Sequence, residues 1–127
     1  RLVRRICENC KEEAVLAAEM MSEVKDIISR LPEAEKEKTN TKELKFYQGK
    51  GCDACQGIGF KGRIGIYEIL VMNSEIEKLV LSGKVSEYDM REIGGKHGMV
   101  SMVQDGILKA LAGVTSVDEV FRVAQEK

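Results

Sequence analysis

The four cysteines of the chain fall into two C-x-x-C pairs, and this spacing constrains the fold more than any other feature. The pairs are Cys7 with Cys10 and Cys52 with Cys55, and no cysteine is left over. One tight turn can present both thiolates of a pair, and two such turns brought together complete a tetrahedral four-sulfur site, which Zn²⁺ favours. The spacing predicts a structural zinc ion, because four protein ligands leave no open position for a catalytic water.

Three alternatives to zinc remain open at the level of sequence. Iron can also occupy a four-sulfur site. Two disulfides would suit a secreted chain, whereas the cytosol keeps thiols reduced. A redox C-x-x-C needs only one pair, usually at the start of a helix in a βαβ unit. The single histidine, His97, is expected to face solvent or the end of a helix rather than a metal that four thiolates already surround.

Composition limits the partners and the setting. The 127 residues carry a formal net charge of −1, so the basic excess of a typical nucleic-acid-binding protein is missing. No apolar run approaches the roughly 20 residues that cross a bilayer, and no signal-peptide pattern opens the chain. We therefore expect a piece of a longer cytosolic protein that does not bind nucleic acid.

The first half of the chain predicts one helix among short strands. Residues 1–6 suit a short strand or a helix end, and apolar residues recur every three or four positions over residues 11–31, which predicts a helix that Pro32 ends. Residues 33–43 suit a solvated loop or a frayed helix. A short strand is expected at 44–48, and the strongest strand pattern covers 64–72 after a glycine-dense stretch.

The second half predicts four short helices. Four serines each precede an acidic or amide residue three positions later, as in a capping box, and place helices near 74–82, 86–96, 101–112 and 116–125. The predicted fold class is thus a helix-rich α+β chain. Residues 1–72 are expected to form the four-cysteine lobe and residues 73–127 a C-terminal helical subdomain.

No catalytic or nucleotide-binding residues are predicted. The phosphate-binding pattern G-x-x-x-x-G-K-[ST] cannot be placed on this sequence. Arg63 and Asp105 are the remaining charged candidates, and the sequence alone assigns them no role beyond ordinary ion pairs. We therefore expect no ATP hydrolysis by this chain alone.

Three collinear segments resemble the C-terminal end of the type II secretion and type IV pilus assembly ATPases. They read RLVRRICENCK, LKFYQGKGCDACQGIGFKGRIGIYEILVMNSEIEKLV and GMVSMVQDGILKALAGVTSVDEVFRV. The resemblance implies zinc ligation by Cys7, Cys10, Cys52 and Cys55, a core strand near residues 64–72, and a longer protein that binds ATP and Mg²⁺. It also implies a hexameric ATPase ring, cytoplasmic and peripheral at the inner membrane, that contacts the integral platform protein and powers pilin or pseudopilin assembly.

A second resemblance supplies the alternative function. The segment from Cys52 to Gly59 fits the C-x-x-C-x-G-x-G repeat of J-domain co-chaperones, which would make the chain a free-standing zinc module that binds proteins. The Cys7–Cys10 pair lacks the glycines of that repeat.

The helix predicted between the cysteine pairs carries more apolar residues than one small lobe obviously needs, and two interpretations stay open: these residues pack on the rest of the chain, or they form an exposed, methionine-bearing contact face. The face comprises Val15, Leu16, Met20, Met21, Val24, Ile27, Ile28 and Leu31.

Overall fold

The computed structural model describes residues 1–38, 44–83, 86–96 and 98–124. Its elements follow the order β1 (Leu2–Ile6), β2 (Lys11–Ala14), α1 (Ala18–Ser29), α2 (Glu33–Lys38), β3 (Phe46–Gly49), β4 (Phe60–Gly65), α3 (Ser74–Leu81), α4 (Glu87–Lys96), α5 (Met102–Leu111) and α6 (Val117–Ala124), with a 3₁₀ turn at Asp53–Cys55 between β3 and β4. The helix-rich α+β prediction is confirmed.

The strands form two antiparallel pairs that the cysteine turns connect. β1 pairs with β4, with Val3 opposite Ile64, and β2 pairs with β3, with Ala14 opposite Phe46. The first C-x-x-C turn joins β1 to β2, and the second joins β3 to β4. Because each turn passes the chain from one pair of strands to the other, both cysteine pairs lie at the same junction.

The main hydrophobic core lies between α1, β3 and the last two helices. Its buried side chains are Val24, Ile27, Ile28, Leu31, Phe46, Val103, Ile107, Ala110, Val117 and Val120. The core therefore draws on residues from both sides of position 72.

Two predicted elements are wrong in their bounds. Lys11–Ala14 forms a strand rather than the first turn of a helix, because the cysteine turn returns this segment alongside β3. The strand predicted over 64–72 lies instead at Phe60–Gly65, where β1 supplies its partner, and residues 66–73 have no regular structure.

The capping predictions hold in three of four cases. Backbone N–H groups of the first turn donate to the hydroxyls of Ser86, Ser101 and Ser116, and Ser101 forms a full capping box with Gln104. In α3 the cap is Asn73 rather than Ser74, since the Asn73 side chain accepts the N–H of Ile76 at 3.0 Å.

The exposed contact face is wrong for four of its eight residues, for which the alternative of packing within the chain holds. Val24, Ile27, Ile28 and Leu31 are buried in the core, and Leu16, Met20 and Met21 pack against it. Val15, which is 98% exposed, lies before the helix begins. Most apolar residues of this segment thus contribute to the core of the chain itself.

Candidate metal centre

The two cysteine turns bring four sulfur atoms into one cluster. The Sγ atoms of Cys7, Cys10, Cys52 and Cys55 all lie within 4.8 Å of one another, so these side chains could hold a metal ion. The distances are 3.8 Å from Cys7 to Cys52, 3.8 Å from Cys10 to Cys55 and 3.7 Å from Cys52 to Cys55. All four cysteines are free, so the two-disulfide alternative is absent from this structure.

The sulfur spacing fits a tetrahedral metal site. A tetrahedron with metal–sulfur bonds of about 2.3 Å has edges of about 3.8 Å, and a disulfide would need about 2.05 Å. Cys7 and Cys55 are buried, whereas Cys10 and Cys52 are partly accessible. The site therefore opens to solvent on one side.

Backbone N–H groups point at two of the sulfurs. Gly51 donates to Cys10 at 3.3 Å, and Cys52 and Gly59 each donate to Cys55 at 3.2 Å. Burial opposes ionisation of Cys55, but these two donors outweigh it and lower the pKa of its thiol to about 6. Burial prevails at Cys10 and raises the pKa of its thiol to about 12, against the single opposing donor of Gly51.

The sulfur of Cys52 accepts its hydrogen bond from a side chain rather than from the backbone. The amide Nδ2 of Asn9 donates to its sulfur at 3.2 Å. This bond is the main cause of the lowered pKa of the Cys52 thiol, and burial opposes it. Asn9 belongs to the first cysteine turn and Cys52 to the second, so the contact joins the two turns.

Gly59 explains part of the glycine density that the sequence shows after the second cysteine pair. Its φ is +85°, its N–H donates to Cys55, and its carbonyl accepts the N–H of Cys7 at 3.0 Å. A Cβ atom at Gly59 would lie 2.6 Å from the carbonyl oxygen of Gly49. Only glycine combines this backbone conformation with so close an approach of two chain segments.

The other charged candidates lie outside the cysteine cluster. Asp105 accepts the N–H of Tyr67 at 2.9 Å and pairs with Lys109 at 2.6 Å, so it fastens the start of the irregular 66–73 segment to α5. Arg63 is exposed on β4 and makes no ion pair with the residues that the structure describes. His97 lies outside the described residues, and its predicted place at a helix end stays a prediction.

The sequence reasoning missed a buried carboxylate cluster. Glu119 is 2% exposed and binds the guanidinium groups of Arg4 and Arg122, with oxygen–nitrogen distances of 2.6 and 2.7 Å. The backbone N–H of Arg4 also donates to it at 3.3 Å. The capping pattern with Ser116 located Glu119 on α6, but no local signal indicates that its partner lies 115 residues away on β1.

Comparison with known proteins places the chain in a family. The family model described as "Type II/IV secretion system protein" matches residues 1–122. The type IV pilus assembly ATPase PilB of Thermus thermophilus is 39% identical over 121 residues, which is 95% of this chain and 12% of that protein. PilB of Pseudomonas aeruginosa is 32% identical over 99% of this chain and 20% of its own length.

A secretion protein matches over the same region. The type II secretion system protein E of Dickeya dadantii is 30% identical over all 127 residues, which is 22% of its own length. The chain therefore belongs to the type II/IV secretion system protein family, as the resemblance predicted, and spans between 12% and 22% of these three relatives. Each helix in the described part of the chain is too short or too polar to span a bilayer.

Proposed function

We propose that Cys7, Cys10, Cys52 and Cys55 hold one structural Zn²⁺ ion. The observation that carries this proposal is the 3.7–3.8 Å spacing of their sulfur atoms, which matches the edge of a zinc–thiolate tetrahedron. Apparent binding free energies for such sites are roughly 10–16 kcal/mol. That is as large as the whole net stability of a typical domain, about 5–15 kcal/mol, so the metal would hold the two strand pairs together.

Elemental analysis of the purified 127-residue chain tests the metal. We expect one zinc per chain, retained through gel filtration, and less than a tenth of that amount in the double variant Cys52→Ser with Cys55→Ser. A preparation with four readily titrated thiols and no metal would refute the proposal. Iron in preference to zinc, when both are supplied during expression, would establish the iron alternative.

We further propose that the chain is the metal-bearing part of an assembly ATPase whose nucleotide site lies elsewhere in a longer protein. Family membership and the relatives named as ATPases support this proposal. The chain matches only 12% and 20% of the two pilus assembly ATPases, so most of each relative lies outside the matched region. Phosphoryl transfer needs a phosphate cradle, a lysine and a held Mg²⁺, and this sequence offers no such set. The free-standing chaperone-like module is not favoured, since the family match extends over residues 1–122.

The expected result is no Mg²⁺-dependent ATP turnover by the isolated chain and measurable turnover by the full-length protein. Turnover that follows the 127-residue chain through repeated purification would overturn the assignment. Assembly as a hexameric ring, cytoplasmic and peripheral at the inner membrane, is part of the same proposal and is tested by gel filtration and cell fractionation of the full-length protein. The division into a cysteine lobe, residues 1–72, and a helical subdomain, residues 73–127, also stays a proposal.

The partner we propose for the cysteine lobe is the integral membrane platform protein of a secretion or pilus machine. Four protein ligands leave the metal no open coordination position for chemistry. The role we propose for the metal is therefore to keep the surrounding protein surface rigid. Ile58, in the turn after Cys55, is 59% exposed on that surface. Gly57 and Gly59, both with positive φ, shape the turn. Single exposed apolar residues are common on protein surfaces, and Ile58 is the contact residue we propose because it lies beside the proposed metal site.

Capture of the platform protein by the full-length protein tests the partner. We expect Ile58→Ser to weaken capture while zinc content and ATP turnover stay unchanged. The matched control is Val15→Ser, which removes another exposed apolar side chain away from the cysteine turns. Equal capture by both variants would exclude Ile58 from the contact. A double variant of Cys52 and Cys55 to serine that loses turnover and capture alike would mean that the metal only supports the ATPase core.

A further inference from the structure

The four sulfurs differ in what protects them. Cys55 receives two backbone N–H groups and Cys10 receives one, and the folded turns fix these donors. Cys7 is buried. Among the residues that the structure describes, the only nitrogen donor to Cys52 is the Asn9 side chain, at 3.2 Å.

Both partners of this bond are reachable from solvent. Asn9 is exposed and Cys52 is partly exposed. An N–H···S bond draws electron density from a thiolate and so weakens it as a nucleophile, and a bond to a charged acceptor is stronger than one between neutral groups. A side-chain donor can swing away from the sulfur, whereas a backbone donor moves only when its turn opens.

We propose that Asn9 is a positioning residue that protects the Cys52 thiolate, and that Cys52 is the first sulfur to leave the bound metal when the site is attacked or exchanged. The inference rests on the zinc site proposed above. It assigns the Asn9 amide the role that backbone N–H groups fill at Cys10 and Cys55. The same amide also fastens the first cysteine turn to the second, because it reaches across 43 residues of sequence.

Alkylation of the zinc-loaded chain by iodoacetamide, resolved by peptide mass spectrometry, measures each sulfur separately. The thiolate sulfur displaces iodide from the reagent and forms a carbon–sulfur bond, so every cysteine reports its own rate. In the wild type we expect Cys52 to react before the other three. Loss of one charge-assisted hydrogen bond should raise the Cys52 rate about tenfold in Asn9→Ala, with little change at Cys10.

Two further variants sharpen the test. Asn9→Asp keeps the size of the side chain but replaces the donor with an acceptor, and it should accelerate Cys52 at least as much as alanine does. Glu8→Ala is the matched control, because Glu8 is an exposed residue of the same turn whose carboxylate pairs with Lys11 rather than with a sulfur. Its Cys52 rate should stay within twofold of the wild type.

Zinc content separates the possible failures. If wild type and Asn9→Ala each carry one zinc but alkylate Cys52 at rates within twofold, the role of Asn9 is wrong and the metal site stands. First reaction at Cys10 would overturn the order of release. A wild-type chain without zinc, with four rapidly alkylated thiols, would refute both this inference and the metal site.

Discussion

Replacing Glu119 by glutamine removes a charge from a carboxylate that is 2% exposed and has two arginine partners. Burial opposes ionisation of this group, but hydrogen bonds from Arg122 and Arg4 outweigh it and lower the pKa of the carboxyl from 4.5 to about 2. Glutamine keeps the shape of the side chain but cannot carry the charge. It also turns an amide N–H₂ group toward guanidinium groups that already donate.

The size of the pKa shift gives the expected loss in the free energy of unfolding. A carboxyl whose pKa falls by about 2.5 units on folding contributes about 3 kcal/mol to the free energy of unfolding. The side chains of Arg4 and Arg122 are 45% and 56% exposed, so solvent screens part of the interaction. We therefore expect Glu119→Gln to lower the free energy of unfolding at pH 7 by about 2–3 kcal/mol.

The sign of the pH dependence follows from the lowered pKa. The contribution of Glu119 is complete above pH 4.5 and is lost as the pH falls toward 2. Glutamine does not titrate, so the stability difference between wild type and Glu119→Gln should shrink over that range. Protonation of the cysteines would also release a bound metal in acid, but it would do so in both proteins, so the difference between their stabilities isolates Glu119.

Urea unfolding followed by far-ultraviolet circular dichroism, with zinc in excess at pH 7, measures the change. The control is Asp118→Asn, because Asp118 is exposed and lies in the same first turn of α6. Both substitutions remove one negative charge near the positive end of the helix dipole, so this effect cancels. The control should shift the free energy of unfolding by no more than about 0.5 kcal/mol. Equal midpoints for the two variants would refute a net contribution from the Arg4–Glu119–Arg122 cluster.

Three further outcomes are expected. Gly59→Ala should lower zinc affinity at least tenfold in a competition with a chromogenic chelator. Gly83→Ala is the control and should leave zinc affinity unchanged, because Gly83 also has a positive φ, +72°, but no atom lies within 4 Å of its Cβ position. Chelation should expose amides of residues 7–10 and 50–59 to hydrogen exchange while α5 amides stay protected, and uniform loss of protection would contradict the metal's local role. Asp105→Asn should speed amide exchange at Tyr67 at least threefold without altering zinc content, because it weakens the acceptor of that N–H; unchanged exchange would show that Asp105 does not fasten the segment.

The grouping of the cysteines could be predicted from their spacing alone, because each C-x-x-C turn is a local structure. The capped helices were predictable for the same reason, since Ser101 and Gln104 satisfy each other's backbone within one turn. The partner of each strand was not predictable in this way. Lys11–Ala14 carries no strong strand pattern and is a strand only because β3 returns beside it.

The error at residues 64–72 has a different cause. The segment is rich in apolar and β-branched residues, which favours a strand, and its Tyr67, Ile69 and Val71 are exposed. The strand β4 ends at Gly65, opposite Leu2, and Ile66 still exchanges two hydrogen bonds with Arg1, at 2.8 and 3.0 Å. Composition indicates that a segment can form a strand, but the extent of the strand depends on the segment that pairs with it. The contacts of Asn9 and Glu119 could not be predicted from the neighbouring sequence, because their partners lie 43 and 115 residues away.

The bonds between β1 and the turn before α6 join residues that are far apart in sequence, so they can form only late in the synthesis of the chain. Thr115 donates its hydroxyl to the carbonyl of Arg4, 111 residues earlier, at 2.8 Å, and Ile6 donates to Val114 at 2.9 Å. The last cysteine is made well before these residues, so at roughly 5–20 residues per second a ribosome needs several more seconds to supply them. All four cysteines of the proposed metal site are synthesised before that interval begins, whereas the partners of β1 in the turn before α6 are not. The Arg4–Glu119–Arg122 cluster, which joins β1 to α6, can therefore form only after nearly the whole of this sequence has been synthesised.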